Sequence, residues 1–414
     1  MQEHRQFWDW EKFDSDLSAH DRERASALDA ALHEVWDLGR NVILCWAPSG
    51  RGIVFVAVRY YTITDILAEA DAYDRSGERA SEMRRVVEGP ILIDEAAVRA
   101  FAANLGLPLQ RINLPFQPGR DLDLGLVNSL VRRYAITLDR DRAVALFDIV
   151  GFSLGNALEQ VTQLNSLSRS LNLAQGHLAA RRLDVDFSRS TTGDGYYVWN
   201  RGGSPQANLN LYHLIHLALA DNAIGRPKAR SSSTPLMRSC FHVGSFYEFF
   251  QPEGLSQTIY DYIVGDATIE VARLIANALP GQILVGDFRL SAPDCADPLD
   301  TVRFIERTRA SADTLKGLVL AGETVESIKC YLTGERRPDG TYGIKRYLLT
   351  DKHGRKHVAY NAKINVHLRN GEPIFLGLQD ADVDCFDVLD ELSVDQAIGA
   401  ETQAAGAFPV SAPG

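Results

Sequence analysis

Residues 143–153 read AVALFDIVGFS, and no other stretch narrows the possible folds as much. Ala143, Val144, Ala145, Leu146 and Phe147 form an apolar run too short for a helix and suited to a buried strand. Asp148 ends the run, Gly151 follows shortly, and the composition beyond Ser153 turns helical. A strand that delivers a carboxylate at its end and breaks at a glycine before a helix has a use. The glycine lets backbone N–H groups turn toward phosphate oxygens, while the carboxylate holds a divalent cation beside them. A buried aspartate after a strand is also a common structural feature, so this stretch alone does not decide.

A second stretch lies downstream, STTGDGYYVWN at 190–200. Thr192-Gly193-Asp194-Gly195 is a tight-turn signal, and the aromatic run after it reads as a strand. The result is a hairpin with a carboxylate at its tip. Two such carboxylates, each at a strand end with glycine alongside, can share a pair of metal ions of the kind that drive in-line displacement at phosphorus.

At 414 residues the chain has room for two or three domains. Its net charge of −11 argues against a general nucleic-acid binder. No apolar run reaches membrane-spanning length, and the polar start MQEHRQFWDW lacks a signal-peptide core, so a cytoplasmic protein is expected. Cys45, Cys240, Cys295, Cys330 and Cys385 are scattered without CxxC spacing and read as reduced packing residues.

Residues 1–135 are an N-terminal α/β region of unassigned role. Asp21 can cap a helix through Gly39, and strands are expected at 42–47 and 52–59. The loop between them, Pro48-Ser49-Gly50-Arg51-Gly52, lacks the Lys-Ser/Thr pair of a phosphate loop and is expected to be a hairpin turn. Helices are expected at 64–72 and 95–105, and a solvated connection at 121–125. In the middle region, 136–295, the order strand, helix, hairpin, helix, strand, helix, strand gives an α+β fold. It suits a ferredoxin-like mixed sheet with helices on one face. His213 and His216 lie one helical turn apart among Leu211, Leu214, Ile215 and Leu217; with no further ligand in sight, packing or an interface is expected of them.

A polar loop at 228–235 and a linker at 291–300 follow from their Ser, Thr and Pro content. Residues 300–395 read as a C-terminal β-rich domain, with a turn at Pro338-Asp339-Gly340, and 396–414 as a disordered tail. Lys329, Arg336, Arg337, Lys345, Arg346, Arg355, Lys356 and Lys363 cluster there, either as a charged sheet face or as an anion sensor. The aspartates at 380, 382, 384 and 387 lack the glycine and terminal glutamate of a calcium loop.

FDIVGFS, TTGDGYY, CFHVGSFYEF (240–249), YDYIVGDATIEVARL (260–274) and GQILVGDF (281–288) together resemble the class III nucleotidyl cyclases in order and spacing. That resemblance implies Asp148 and Asp194 as paired ligands of two Mg²⁺ or Mn²⁺ ions, with the Ile149 carbonyl assisting. It implies that the backbone N–H groups of Val150, Gly151, Phe152 and Ser153 receive the β- and γ-phosphates. It also implies a homodimer with composite active sites, in which a partner helix supplies an Asn and, four residues on, an Arg. Aligning Val264-Gly265-Asp266 on the family's Trp-Gly-Asp/Asn puts Arg273 at the arginine position and Ile269 at the asparagine position.

The base-reading positions depart from both purine patterns. Ser190 stands where adenylyl cyclases have a Lys, and Tyr262 where they have an Asp. A site that cannot pair a purine edge rejects it, and a tyrosine can narrow the pocket to one ring and stack on it. LTDKHGRKHVAYNAKINV also resembles a C-terminal sensor domain attached to some bacterial nucleotide cyclases. Together these features resemble the pyrimidine cyclases of the bacterial Pycsar anti-phage system. They imply UTP, ahead of CTP, as substrate and a separate cyclic-nucleotide-binding effector that reads the product. An adenylyl or guanylyl cyclase, and a catalytically inactive nucleotide-binding module of the same fold, are the alternatives.

Overall fold

The computed structural model describes residues 17–72, 77–229, 233–252, 259–291, 298–338, 342–383 and 385–392. The expected tail at 396–414, Cys295, Asp384 and parts of the expected 228–235 loop, 291–300 linker and 338–340 turn lie outside them. The Cα positions cluster into two units, Met1–Asp139 with Phe246–Val264, and Arg140–Ser245 with Gly265–Gly414.

In the first unit, Ser18 rather than Asp21 caps α1 (Ala19–Trp36), its hydroxyl accepting from the Asp21 N–H at 3.1 Å. Asp21 instead sits in the first turn, where a negative charge suits the helix dipole. β1 (Asn41–Pro48) and β2 (Gly52–Arg59) pair antiparallel as a hairpin. After α2 (Tyr60–Ala72), α3 (Gly77–Val87) and α4 (Glu95–Leu105), β3 (Leu109–Asn113) joins β2. Residues 121–125, expected as a solvated connection, start α5 (Leu124–Arg132): the Asp123 carboxylate accepts from the Leu126 N–H at 3.0 Å. β1 and β2 are buried on both faces. Ile43, Trp46 and Phe55 pack against α1 and α5, while Leu44, Val54 and Val56 pack against α2, α3 and α4.

β4 (Thr137–Ile149), α6 (Ala157–Ala180), β5 (Phe187–Thr191), β6 (Gly195–Asn200), α7 (Pro205–Gly225) and β7 (Met237–Pro252) follow in sequence. Their strands lie in the order β7-β4-β6-β5, with β4–β6 and β5–β6 antiparallel. That is the ferredoxin-like strand order, and the fold is α+β. β8 (Ile259–Val264) pairs with the end of β7 as a hairpin of the first unit. α8 (Asp266–Asn277) then leads to β9 (Ile283–Gly286), parallel to β7.

The chain continues through β10 (Arg289–Leu290), β11 (Leu299–Asp300), α9 (Thr301–Ser311), β12 (Val319–Leu320), β13 (Glu323–Leu332), β14 (Ile344–Thr350), β15 (Lys356–Leu368), β16 (Ile374–Leu376) and β17 (Asp387–Leu392). β15 pairs antiparallel with β9, from Ala359 opposite Gly286 to Ala362 opposite Ile283. Strands assigned from sequence to a middle region and to a separate C-terminal domain thus share one sheet.

The helices α6, α7 and α9 cover one face of that sheet. Leu171, Tyr212, Ile215 and Phe304 meet Phe147, Phe241 and Val285 in a single core. Alternation along β7 turns Arg238, Cys240 and His242 to the other face, with α8 beyond: a Cβ placed on Gly244 would lie 3.2 Å from Ala267. His213 and His216 belong to the helical core. Their Nδ1 atoms are 3.4 Å apart and His213 Nε2 is 2.8 Å from Ser311 Oγ. Burial pushes His213 down to about 4 and His216 well below the usual imidazole range, so both pack as neutral rings.

Two members of the basic cluster, Lys345 and Arg346, are paired with carboxylates. Lys345 Nζ reaches Asp380 at 2.9 Å and Glu335 at 3.0 Å, and Arg346 holds Asp390. Lys363 is buried, which lowers its pKa. Among the described residues no helix is long and apolar enough to cross a membrane.

Candidate active site

Asp148 is the penultimate residue of β4 and stands opposite Gly195 in the β4–β6 register. One step on, the Ile149 N–H donates to the Asp194 carbonyl at 3.0 Å. The pairing therefore carries both carboxylates to one end of two adjacent strands. Gly195 makes this approach feasible, since a Cβ there would sit 1.8 Å from the Phe147 carbonyl oxygen. Thr192 Oγ1 donates to Asp194 Oδ1 at 3.2 Å, fixing the turn residue from its other side.

The two acids feel one another. Burial raises the Asp148 pKa; Arg238 opposes that by hydrogen bonding and charge, and the neighbouring Asp194 carboxylate adds to it. Arg238 Nε lies 2.6 Å from Asp148 Oδ2, and its Nη1 donates to the Ala278 carbonyl at 3.0 Å. This arginine was not singled out from the sequence. A signal for it exists: Arg238 is the one charged residue in the apolar run Met237–Val243 and shares a strand face with Cys240 and His242.

The phosphate-loop expectation needs one correction. The Val150 N–H is spent on the Leu236 carbonyl at 3.0 Å and is not free for an anion. Gly151, in the left-handed region at φ +70°, turns the chain into a short 3₁₀ segment, Phe152–Leu154. Among the described residues the N–H groups of Gly151, Phe152 and Ser153 carry no hydrogen bond. They form the part of the loop able to receive phosphate oxygens.

Ser190 sits on β5 opposite Tyr197. Tyr262 lies on β8 in the first unit, where its ring stacks on Phe249 with centroids 5.8 Å apart. Arg273, on α8, has Nε 3.2 Å from Asp351 Oδ2. Burial and the Cys240 thiol raise the Tyr197 pKa, and the Arg273 charge opposes them. Ile269 is half exposed on α8.

Among solved structures the chain is similar to the guanylate cyclase domain of RhGC from Catenaria anguillulae in complex with GTP. The identity is 14%, over 56% of this chain and 99% of that one, with a TM-score of 0.32. It is similar to the adenylyl cyclase CyaB from P. aeruginosa at 14% identity, covering 57% and 97%, with a TM-score of 0.31. It is also similar to a non-canonical dimeric guanylyl cyclase domain of the RhoGC fusion protein from Blastocladiella emersonii, at 13%, 54% and 96%, with a TM-score of 0.32. No protein-family model and no curated protein matches the sequence.

Two neighbouring carboxylates, one of them paired with Arg238, offer an all-oxygen donor set of the type hard divalent cations take. Among the described residues no group of three or more His, Cys, Asp or Glu side chains is placed to hold a metal ion. The remaining coordination positions would fall to the Ile149 carbonyl, water and a ligand's own oxygens, as magnesium commonly accepts.

Proposed function

We propose that this chain is a metal-dependent nucleotidyl cyclase, converting a nucleoside triphosphate to the 3′,5′-cyclic nucleotide and pyrophosphate. The observation that carries it is the meeting of Asp148 and Asp194 beside unbonded N–H groups at Gly151, Phe152 and Ser153. Mg²⁺ or Mn²⁺ held by Asp148, Asp194 and the Ile149 carbonyl would acidify the ribose 3′-hydroxyl and neutralise the triphosphate. Gly151, Phe152 and Ser153 bind the β- and γ-phosphates through backbone N–H groups. Arg273 places a guanidinium against the charge that develops on the α-phosphoryl group. In a homodimer, α8 of one subunit would serve the carboxylates of the other.

Within that reading the substrate is a pyrimidine triphosphate, UTP ahead of CTP. Ser190 and Tyr262 hold the base-recognition positions, and neither supplies the partners a purine edge needs. The biological setting would be cytoplasmic anti-phage signalling, with the product read by a separate effector.

Purified full-length protein incubated with ATP, GTP, CTP or UTP and Mn²⁺, with products resolved by chromatography, tests this. A cyclic pyrimidine product supports the assignment; preference for ATP or GTP defeats the pyrimidine claim. Asp148→Ala and Asp194→Ala should each abolish turnover with the fold intact.

A second reading, a nucleotide-binding module without turnover, draws on the contact between Arg238 and Asp148, which gives one of the two acids a protein counter-ion. Nucleotide binding with no product from any of the four triphosphates would select it.

A further inference from the structure

α8 reaches the C-terminal strands through two side chains one turn apart. Glu270 Oε2 is 2.7 Å from His357 Nδ1, and Arg273 Nε is 3.2 Å from Asp351 Oδ2. The two partners are neighbours in turn, with His357 Nε2 3.6 Å from Asp351 Oδ2. Asp351 follows β14 at the tight turn into β15, and its side chain is only 3% exposed. Its Oδ1 accepts from the backbone N–H groups of His353 at 2.8 Å and Arg355 at 2.9 Å. One oxygen thus builds the turn while the other faces the guanidinium.

That division matters for what Arg273 can do. An arginine fork offers five donors, and this contact uses the Nε edge. Among the described residues the two terminal nitrogens have no protein acceptor, and the side chain is 30% exposed. An arginine held at its inner edge with its outer pair free is set up to meet two oxygens of an anion. A long flexible side chain left unheld would spread over many rotamers and lose that placement.

We propose that Asp351, seated in the β14–β15 turn, is the positioning residue for Arg273: it holds the guanidinium by charge so that its terminal nitrogens face the reacting phosphoryl group. The inference rests on the cyclase reading, and it assigns the C-terminal strands a part in turnover. Asp351 touches no substrate; it acts through Arg273. The Glu270–His357 contact fastens the same helix to β15, just beyond that turn.

Asp351→Asn isolates this role. Asparagine keeps an Oδ1 acceptor for the two turn N–H groups but places an amide N–H against the Arg273 donor. In full-length protein with Mn²⁺ and the preferred triphosphate, kcat should fall about 10- to 100-fold while KM stays within about twofold. In an Arg273→Ala background the same substitution should cost nothing further, because the side chain it positions is gone. An equal loss in both backgrounds, or an unchanged kcat, overturns the proposal. Should Asp351→Asn fail to fold, Arg273→Lys supplies the test. One ammonium cannot both meet Asp351 and present two donors, so kcat should drop although the charge is kept; full activity overturns the proposal. A wild-type protein that cyclises none of the four triphosphates sinks the cyclase reading and this inference together. An active wild type with additive losses sinks the inference alone.

Discussion

Arg238 and Asp148 form an ion pair at the end of β4, Nε to Oδ2 at 2.6 Å, and the same guanidinium donates to the carbonyl of Ala278 just beyond α8. One of the two acids on which the proposed function depends is therefore already partnered by the fold. The partner offsets both burial and the adjacent Asp194, each of which favours the protonated form of Asp148.

Removing that partner should show in the pH dependence of the reaction. In Arg238→Ala, burial and Asp194 act unopposed, so Asp148 keeps its proton to higher pH. The acidic limb of the kcat/KM profile should shift upward in pH relative to wild type. A limb that stays in place would separate Arg238 from the reacting centre.

Asp194→Asn should make the protein more stable as it becomes inactive. A carboxyl whose folded pKa lies above its unfolded value costs stability when ionised. That cost is absent below the unfolded pKa and complete above the folded one, so at pH 7 the chelator-treated protein bears all of it. Relieving Asp194's share should raise the Tm measured in EDTA. Mn²⁺, which should raise the wild-type Tm by binding the native state, should leave that of the variant where it is. A lower Tm in EDTA would contradict the repulsion.

The glycines of the GDG turn should separate by cost. At Gly195 a methyl group meets the Phe147 carbonyl oxygen, so β4 and β6 must part; Gly195→Ala should lose about 3 kcal/mol or more. At Gly193 φ is +98° with nothing within 4 Å of an added Cβ, leaving only backbone strain of about 1–2 kcal/mol. Urea titration of the two variants at matched m-value gives the comparison, and equal losses would place the strand contact in error.

Acid should unfold the protein early. His213 and His242 are each pushed down to about 4 by burial, so the fold favours their neutral forms. The stability this carries is whole above the unfolded value of about 6.5 and drains as pH falls toward the folded one. At pH 5 each should withdraw on the order of 2 kcal/mol. Thermal melts from pH 7.5 to 5 should fall steeply, and His242→Gln should flatten the slope; parallel slopes would show that His242 does not sense the change.

Much of the core was legible locally. The apolar run ending at Asp148 announced a buried strand, the glycine-flanked Asp194 a turn, and both lie where those patterns put them. The same local logic failed at 121–125, where Asp123 is a helix cap rather than a loop residue, because a short helix leaves too few residues for periodicity to register. It missed the Val150 N–H being consumed by Leu236, a residue more than eighty positions away whose pairing no local pattern encodes.

The amino-acid order alone marked the strand that ends at Asp148, the turn that carries Asp194 and several of the longer helices, since side-chain period and turn chemistry act between near neighbours. Only the tertiary structure decided that Arg238 meets Asp148, that Asp351 meets Arg273, and that the C-terminal strands extend the sheet through β9. Those choices depend on strand register and on which buried charges find one another once the chain is packed, and both are properties of the folded whole.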